Sequence, residues 1–341
     1  MTTILENLYP THLVLSGGVG GAKLVRGLVA LLKAKDLMIV GNVGDDFEHW
    51  GLNISPDLDT LLYTLSDVAN PETGWGREGE TWNVLEEMSR LGRDAWFRLG
   101  DLDLAVHIER THRLRRGEPL SQIMAKLCCE FGLNHIILPP TDKSIRTLVT
   151  TKEHGVLDFQ DYFVRHQCRP VVTDLRYEGA GKARLLPIIE SALLSSNLRS
   201  VIIGPSNPFL SVAPILATTN FRGLLAKRRF PCIAVSPMIG LKAFKGPTAK
   251  IMEELGYEMS SFTVASYYSS NLIDGIMIDP ADTALITRIE DLGIKTFTTD
   301  IAMHNLGDKK NTKTKPFSLY SKSKTKRNKA KKAVKLFDYI H

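Results

Sequence analysis

Cysteine is scarce in this sequence: four in 341 residues, Cys128, Cys129, Cys168 and Cys232. None forms a CxxC pair and no cysteine–histidine run has zinc-ligand spacing. A zinc ribbon or a disulfide framework is thereby excluded, and a reducing cytoplasm is the expected setting. Long apolar runs are also missing. No stretch approaches the 18 or more residues of a membrane span. The first apolar segment is broken by Gly17, Gly18, Gly20 and Gly21 and then by Lys23 and Arg26, which is not the pattern of a secretory signal. A general basic surface is lacking too, although the formal net charge is +6. The segment from Lys309 to His341 carries twelve Lys and Arg against the single acid Asp338. The preceding 308 residues hold 31 basic and 36 acidic side chains, a net of −5. The basic character therefore belongs to a tail, and the body gives no reason to expect nucleic acid as partner.

What is present is an alternation of short apolar runs with helical periodicity. His12 to Ser16 ends in glycines and passes into an apolar-periodic segment, Leu24 to Leu32. Further strand candidates are Leu37 to Val40, Ile136 to Leu138, Val201 to Ile203, Cys232 to Val235, Gly275 to Ile278 and Lys295 to Phe297. Leu120 to Phe131 and Thr248 to Leu255 read as helices between them. Strands alternating with helices predict an α/β fold with a mostly parallel sheet covered on both faces. Thr150 to Leu186 alternates less clearly and reads as an antiparallel or irregular insertion. Lys309 to Lys332, rich in Lys, Thr and Ser, has the composition of a disordered segment, and Ala333 to Ile340 that of a short helix. The expected division is a catalytic domain over 1–308 and a lysine-rich extension over 309–341.

Four motifs carry candidate chemistry. In Ser16-Gly17-Gly18-Val19-Gly20-Gly21-Ala22-Lys23 the glycines stand between strand and helix, where backbone amides and the helix dipole favour an anion. Leu24 replaces the Ser or Thr of a Walker loop, and Lys23 replaces the last glycine of a dinucleotide fingerprint. The turn is either a phosphate cradle or a plain tight turn. Asp45 and Asp46 are followed by Asp57 and Asp59 in Ser55-Pro56-Asp57-Leu58-Asp59-Thr60, four carboxylates within fifteen positions, enough to ligate magnesium. Asp57 and Asp59 also suit the cap of the helix near Leu61. Arg98 and His107 are candidates for a phosphate or carboxylate and a polar ring edge, with packing as the plainer reading. In Gly204-Pro205-Ser206-Asn207-Pro208 a strand end exposes hydroxyl and amide donors, or merely a turn. Val235-Ser236-Pro237 is similar in kind, and Lys245 precedes a helix start where it neutralises a phosphate or is solvated.

Taken together these residues resemble the 2-phospho-L-lactate transferase (CofD-like) family of coenzyme F-420 biosynthesis. The matching blocks are SGGVGGAKL (16–24), NVGDDFEHWGLNISPDLDTLLYTL (42–65), GWGREGETW (74–82), WFRLGDLDLAVHI (96–108), LDFQDYFV (157–164), IGPSNPF (203–209), AVSPMIG (234–240) and KGPTAK (245–250), in family order. The resemblance implies a Rossmann-like three-layer sandwich, a cytoplasmic homodimer and a magnesium-dependent transferase. Its donor would be a guanosine diphosphate ester of a phosphorylated three-carbon acid, its acceptor the deazaflavin FO, and GMP the leaving group. It implies Asp45 and Asp59 as catalytic metal-site carboxylates, and Asp59 with Arg98 at FO. Gly17, Gly18, Gly20, Lys23, Ser206 and Asn207 would lie on the guanine-nucleotide side, and Asn42, His107 and Lys245 among the other substrate contacts. Asp59→Asn is expected to lower turnover and leave the fold intact. Leu102 departs from the family pattern, where a basic residue is common. A nucleotide-sugar-binding regulator similar to the gluconeogenesis-factor branch is the alternative, disfavoured by Phe47 to Thr60. The glycine spacing disfavours a Rossmann oxidoreductase, and a role for the basic tail alone, on nucleic acid or an acidic surface, would show as steep salt dependence.

Overall fold

Six of the described strands are buried at every position, and this places them inside a sheet covered on both faces. The computed structural model describes residues 10–240, the backbone of 242 and 243, and residues 247–302. Lys245 and the segment 309–341 lie outside the described residues, and with them the expected tail and its short helix.

The strands in chain order are β1 (His12–Ser16), β2 (Leu37–Gly41), β3 (Phe47–His49), β4 (Leu52–Ile54), β5 (Ile137–Leu138), β6 (Arg146–Thr151) and β7 (Gly155–Asp158), followed by β8 (Val172–Glu178), β9 (Ser200–Ile203), β10 (Cys232–Val235), β11 (Met238–Ile239), β12 (Lys242–Ala243), β13 (Gly275–Ile278) and β14 (Lys295–Thr298). Seven of them form one sheet in the order β14-β13-β10-β9-β1-β2-β5. All six pairings in it are parallel. The chain runs outward from β1 to β5, then returns to β9 and runs outward the other way. This is a Rossmann-like doubly wound sheet, and its direction reverses between β1 and β9. Ligands of such folds bind outside the carboxyl ends of the strands at this switch point.

Alternate residues of β1 enter different cores, as the two-residue period of a strand demands. Leu13 and Leu15 pack with the cluster around Ile189, Ile215 and Phe221, and Val14 with the cluster around Leu28, Leu58 and Ile123. Every strand candidate read from the sequence is a strand of this sheet, within a residue or two at each end. The weakly alternating stretch is the separate antiparallel sheet β7-β6-β8. Among the described residues no helix is long and apolar enough to cross a membrane.

The helices near the switch point are α1 (Gly18–Val29), α2 (Pro56–Leu65), α3 (Asn83–Arg90) and α4 (Asp101–Arg115). α1 follows β1 without a linker because glycine removes the obstacles. A Cβ on Gly20 would stand 2.7 Å from the Pro205 carbonyl oxygen, and Gly18 has a φ of +64°. Gly20→Ala therefore forces α1 away from the β9 turn. A thermal melt should show a loss of about 1–3 kcal/mol, as overpacking of a close contact costs. An unchanged melt would remove the tight approach from the account.

Candidate active site

The turns that follow β1 and β9 are sewn together by one hydroxyl. Ser206 Oγ accepts from the Gly17 amide at 3.0 Å and donates to the Gly17 carbonyl at 2.8 Å. The next amide, Gly18 N–H, donates to Asp57 Oδ1 at 2.6 Å. Asp57 therefore does not cap its own helix. It sits in the first turn of α2 and satisfies the first turn of α1, where a negative charge is favoured.

Asn42, at the end of β2, organises the carboxylates. Its side-chain amide lies 3.1 Å from Asp45 Oδ1, 2.9 Å from Asp57 Oδ2 and 3.2 Å from the Leu210 carbonyl. Its oxygen accepts from Gly44 N–H at 2.8 Å. Asp45 also accepts from Gln160 Nε2 at 3.2 Å. Burial, and then the charges of Asp57 and Asp46, push the Asp45 carboxyl well above the ordinary range. Burial raises Asp46 as well, against the 2.8 Å hydrogen bond from Ser55. Burial also raises Asp57, against the bonds from Asn42 and Gly18. Amides and hydroxyls surround these three acids, and like charge is what they chiefly feel from one another.

A second cluster lies across α2 and α4. Asp103, His107 and Arg110 are spaced i, i+4 and i+7, so one face of α4 presents all three. Arg110 is fully buried and grips both oxygens of Asp59, with 3.0 Å between Nη1 and Oδ2 and a closer contact from Nη2 to Oδ1. Burial works to lower the Arg110 pKa, yet the Asp59 carboxylate holds it above its ordinary value. His107 Nδ1 is 3.2 Å from Arg110 Nη1, and Nε2 is 3.2 Å from Asp103 Oδ1. Tyr63, one turn along α2 from Asp59, donates to Asp103 at 2.5 Å. Burial tends to raise the Asp103 carboxyl, but the His107 ring holds it below the usual range.

The two clusters face a cavity of ≈ 760 Å³. Gly17, Gly18, Gly20, Lys23, Ser206 and Asn207 line it, together with Asp45, Asp57, Asp59, Tyr63, Asp103 and His107. Trp75, Trp96, Phe97, Arg98, Phe159 and Phe163 line it too, so that apolar surface surrounds a few convergent polar groups. The structure thus brings together nearly every residue singled out in the sequence. Arg98 is exposed, its guanidinium 4.3 Å above the Trp82 ring. Asn207 lines the cavity while capping the turn that follows it, through Phe209 N–H and Leu210 N–H. Asn42 differs from expectation: it is fully buried behind the wall and its hydrogen bonds go to protein groups. It positions the carboxylates and does not line the cavity.

Tyr63, Asp103, Arg110 and Gln160 were not anticipated. Arg110 carried a signal, because Asp103, His107 and Arg110 share the helix face that also holds the apolar Val106 and Leu114. Gln160 carried none; it arrives from the antiparallel sheet, 115 residues along the chain from Asp45.

Residues 13–314 match the model of the 2-phospho-L-lactate transferase CofD. The chain belongs to this family. It is 36% identical over 297 residues to a phosphoenolpyruvate transferase of Streptomyces avermitilis, covering 86% of this chain and 92% of that one. It is 37% identical over 291 residues to a 2-phospho-L-lactate transferase of Methanosarcina acetivorans, covering 85% and 93%. Among solved structures, protein BH3568 from Bacillus halodurans superposes with a TM-score of 0.56 at 12% identity, over 85% of this chain and 92% of that one, a likeness of fold.

As a CofD-family transferase the chain offers two places for a cation. Asp59, Asp103 and His107 can each give one ligand atom, all within 4.8 Å of one another. Their chemistry suits magnesium poorly, since one donor is an imidazole nitrogen and Arg110 already compensates Asp59. The carboxylate set around Asp45 suits it better: the donors are oxygens, and Asp46 Oδ1 is buried with no hydrogen-bond partner among the described residues. A pH dependence follows. Acids whose folded pKa is raised stabilise the fold below the ordinary carboxylate pKa near 4, and that contribution is lost as pH rises through the raised values. A bound divalent cation removes the penalty. Magnesium should therefore raise the melting temperature more at pH 8 than at pH 5, read by thermal shift. An equal rise at both would separate the cation from these acids.

Proposed function

We propose that the chain transfers a phosphorylated three-carbon acid from its guanosine diphosphate ester to the terminal ribityl hydroxyl of the deazaflavin FO, releasing GMP, in coenzyme F-420 biosynthesis. The single observation behind this reading is that one cavity is lined by groups of two kinds together with acids. A glycine turn and Lys23 suit a diphosphate. Aromatic rings in the same lining are of the size a deazaflavin would stack on.

Gly17, Gly18, Gly20, Lys23, Ser206 and Asn207 hold the nucleotide, and Arg98, His107 and Asp59 face the acceptor. Asp45 would hold magnesium among the acids around it, which would supply charge neutralisation for the phosphates, and Asp59, paired with Arg110, would be its weaker ligand. The FO hydroxyl oxygen forms the new bond to phosphorus as the bond to GMP breaks, and in this reading its proton passes through water to Asp45 or Asp59. Transfer of this kind depends mainly on alignment and charge neutralisation, which a cavity with fixed partners supplies. The relatives' names span phosphoenolpyruvate and 2-phospho-L-lactate, so the acid is left as a class that includes 3-phosphoglycerate. A cytoplasmic homodimer is part of the reading, and light scattering of the purified chain tests the dimer.

The decisive experiment incubates the protein with FO, magnesium and, in turn, the lactyl, enolpyruvyl and glyceryl guanosine diphosphates. Equal amounts of GMP and phosphodiester are expected with at least one donor. Absence of both with all three would sink the reading.

A further inference from the structure

Helices α3 and α4 begin beside each other, and neither caps itself. Trp82 and Gly100 stand at their N-caps; the Trp82 side chain makes no capping bond and Gly100 has no side chain to make one. Each helix takes its cap from the other's segment. Glu80, just before α3, accepts from Leu102 N–H and Asp103 N–H of α4, both at 2.8 Å. Asp101, the first residue of α4, accepts from Asn83 N–H at 3.2 Å and Val84 N–H at 3.1 Å in α3. It also takes the Thr81 hydroxyl at 2.6 Å. Two carboxylates are thus exchanged between two positive helix ends. The fit is close: a Cβ on Gly100 would stand 2.3 Å from Glu80 Oε2, so a side chain there would push the carboxylate off the amides.

The clasp joins two parts of the cavity wall. Glu80 ends a strap that reaches the cavity at Thr73, Trp75 and Gly76. The amides it holds begin the helix that carries Asp103, His107 and Arg110. The same strap places the Arg77 guanidinium 5.8 Å from the Tyr63 ring, and Tyr63 donates to Asp103. Asp103 is therefore fixed from the strap twice, through its own backbone and through its hydroxyl partner.

We infer that Glu80 is a positioning residue: by gripping the first-turn amides of α4 from the Trp75 strap, it sets Asp103 and His107 against Asp59. Asp101, the other half of the clasp, orders α3, which bears none of these groups. The two carboxylates look alike as caps, and they differ in what they hold in place.

The kinetic arm of the test rests on the transfer reading above; the spectroscopic arm does not. Glu80→Gln keeps the length but can accept only one of the two amides. It should lower kcat roughly 10- to 100-fold, as a displaced catalytic constellation does, with each KM within about twofold. Gly100→Ala, which displaces the Glu80 carboxylate without altering it, should do the same. Asp101→Asn should lower the melting temperature comparably and leave kcat within about threefold. Without any substrate, the His107 imidazole ¹⁵N resonances, assigned with a His107→Gln control, should move in Glu80→Gln and Gly100→Ala and stay in place in Asp101→Asn. Unmoved His107 resonances in Glu80→Gln, or equal movement in Asp101→Asn, would overturn the inference whether or not the protein turns over. Absent turnover in the wild type with the expected shifts would count against the transfer reading and support Glu80.

Discussion

Arg110→Met should melt roughly 10 °C below the wild type and show no measurable transfer. The side chain is wholly buried and holds both oxygens of Asp59, which is itself 4% exposed. Removing the guanidinium leaves a nearly buried carboxylate without the partner that holds both its oxygens. Breaking a buried pair from one side costs about 3–5 kcal/mol. At the roughly 2–4 °C per kcal/mol of a large domain, that is the shift stated. Arg110→Lys should recover little, because an ammonium cannot present two parallel donors to one carboxylate. A melting curve with the protein at pH 7.5 decides the matter. A wild-type melt for Arg110→Met would mean that the pair is solvated and Asp59 free for other partners.

The same pair corrects an expectation about Asp59. From sequence, Asp59→Asn should cost activity alone. In the structure the substitution also strips the negative partner from a buried guanidinium. A joint loss of stability and turnover is expected, and Asp59→Asn by itself cannot separate a ligand role from a structural one. A double-mutant cycle of Asp59→Asn with Arg110→Met separates them: coupling of the two in the melt measures the pair, and turnover beyond it measures chemistry.

How much was legible in the sequence follows from how local each signal is. The sheet could be read because each strand is a short apolar run bounded by its own turn, and a parallel strand buried on both faces needs nothing distant to identify it. The glycine turn and the Asp45 and Asp59 segments were legible for the same reason, each lying at a strand end or a helix start. What was not legible depends on partners far apart in sequence. The acceptor of the Gly18 amide is Asp57, 39 residues away, so the carboxylate that reads as a cap for α2 serves α1. Asn42 was a substrate contact only as the resemblance implied. Only the fold shows that Asp45, Asp57 and Leu210 converge on it. Nothing local marks Glu80 or Asp101 as a cap, since each serves the other's helix. The weak alternation after Thr150 has a plain cause: β7 and β8 form the outside of a small sheet, with several positions of each exposed.

Asp45→Asn should make the protein more stable and catalytically poor. The Asp45 carboxyl is buried, and the nearby charges of Asp57 and Asp46 disfavour its ionised form. Above both its ordinary and its folded pKa, each unit of such elevation costs about 1.4 kcal/mol of stability. Asparagine removes the charge and keeps the shape. Its oxygen still accepts from Asn42, and Gln160 need only rotate its amide to offer a carbonyl to the new side-chain N–H. The melting temperature at pH 8 without magnesium should therefore rise by several degrees, at roughly 2–4 °C per kcal/mol. Turnover should fall by about 100-fold or more, the usual cost of losing one preorganised charge contact in a transition state. The magnesium-dependent gain in melting temperature should shrink with it, because the carboxylate that the cation relieves is gone. The opposed signs give the prediction its force. A residue kept for the fold loses stability when neutralised, whereas one kept for a cation and its phosphates gains it. A lower melting temperature with turnover intact would take Asp45 out of the site and leave the buried acids as a structural cluster.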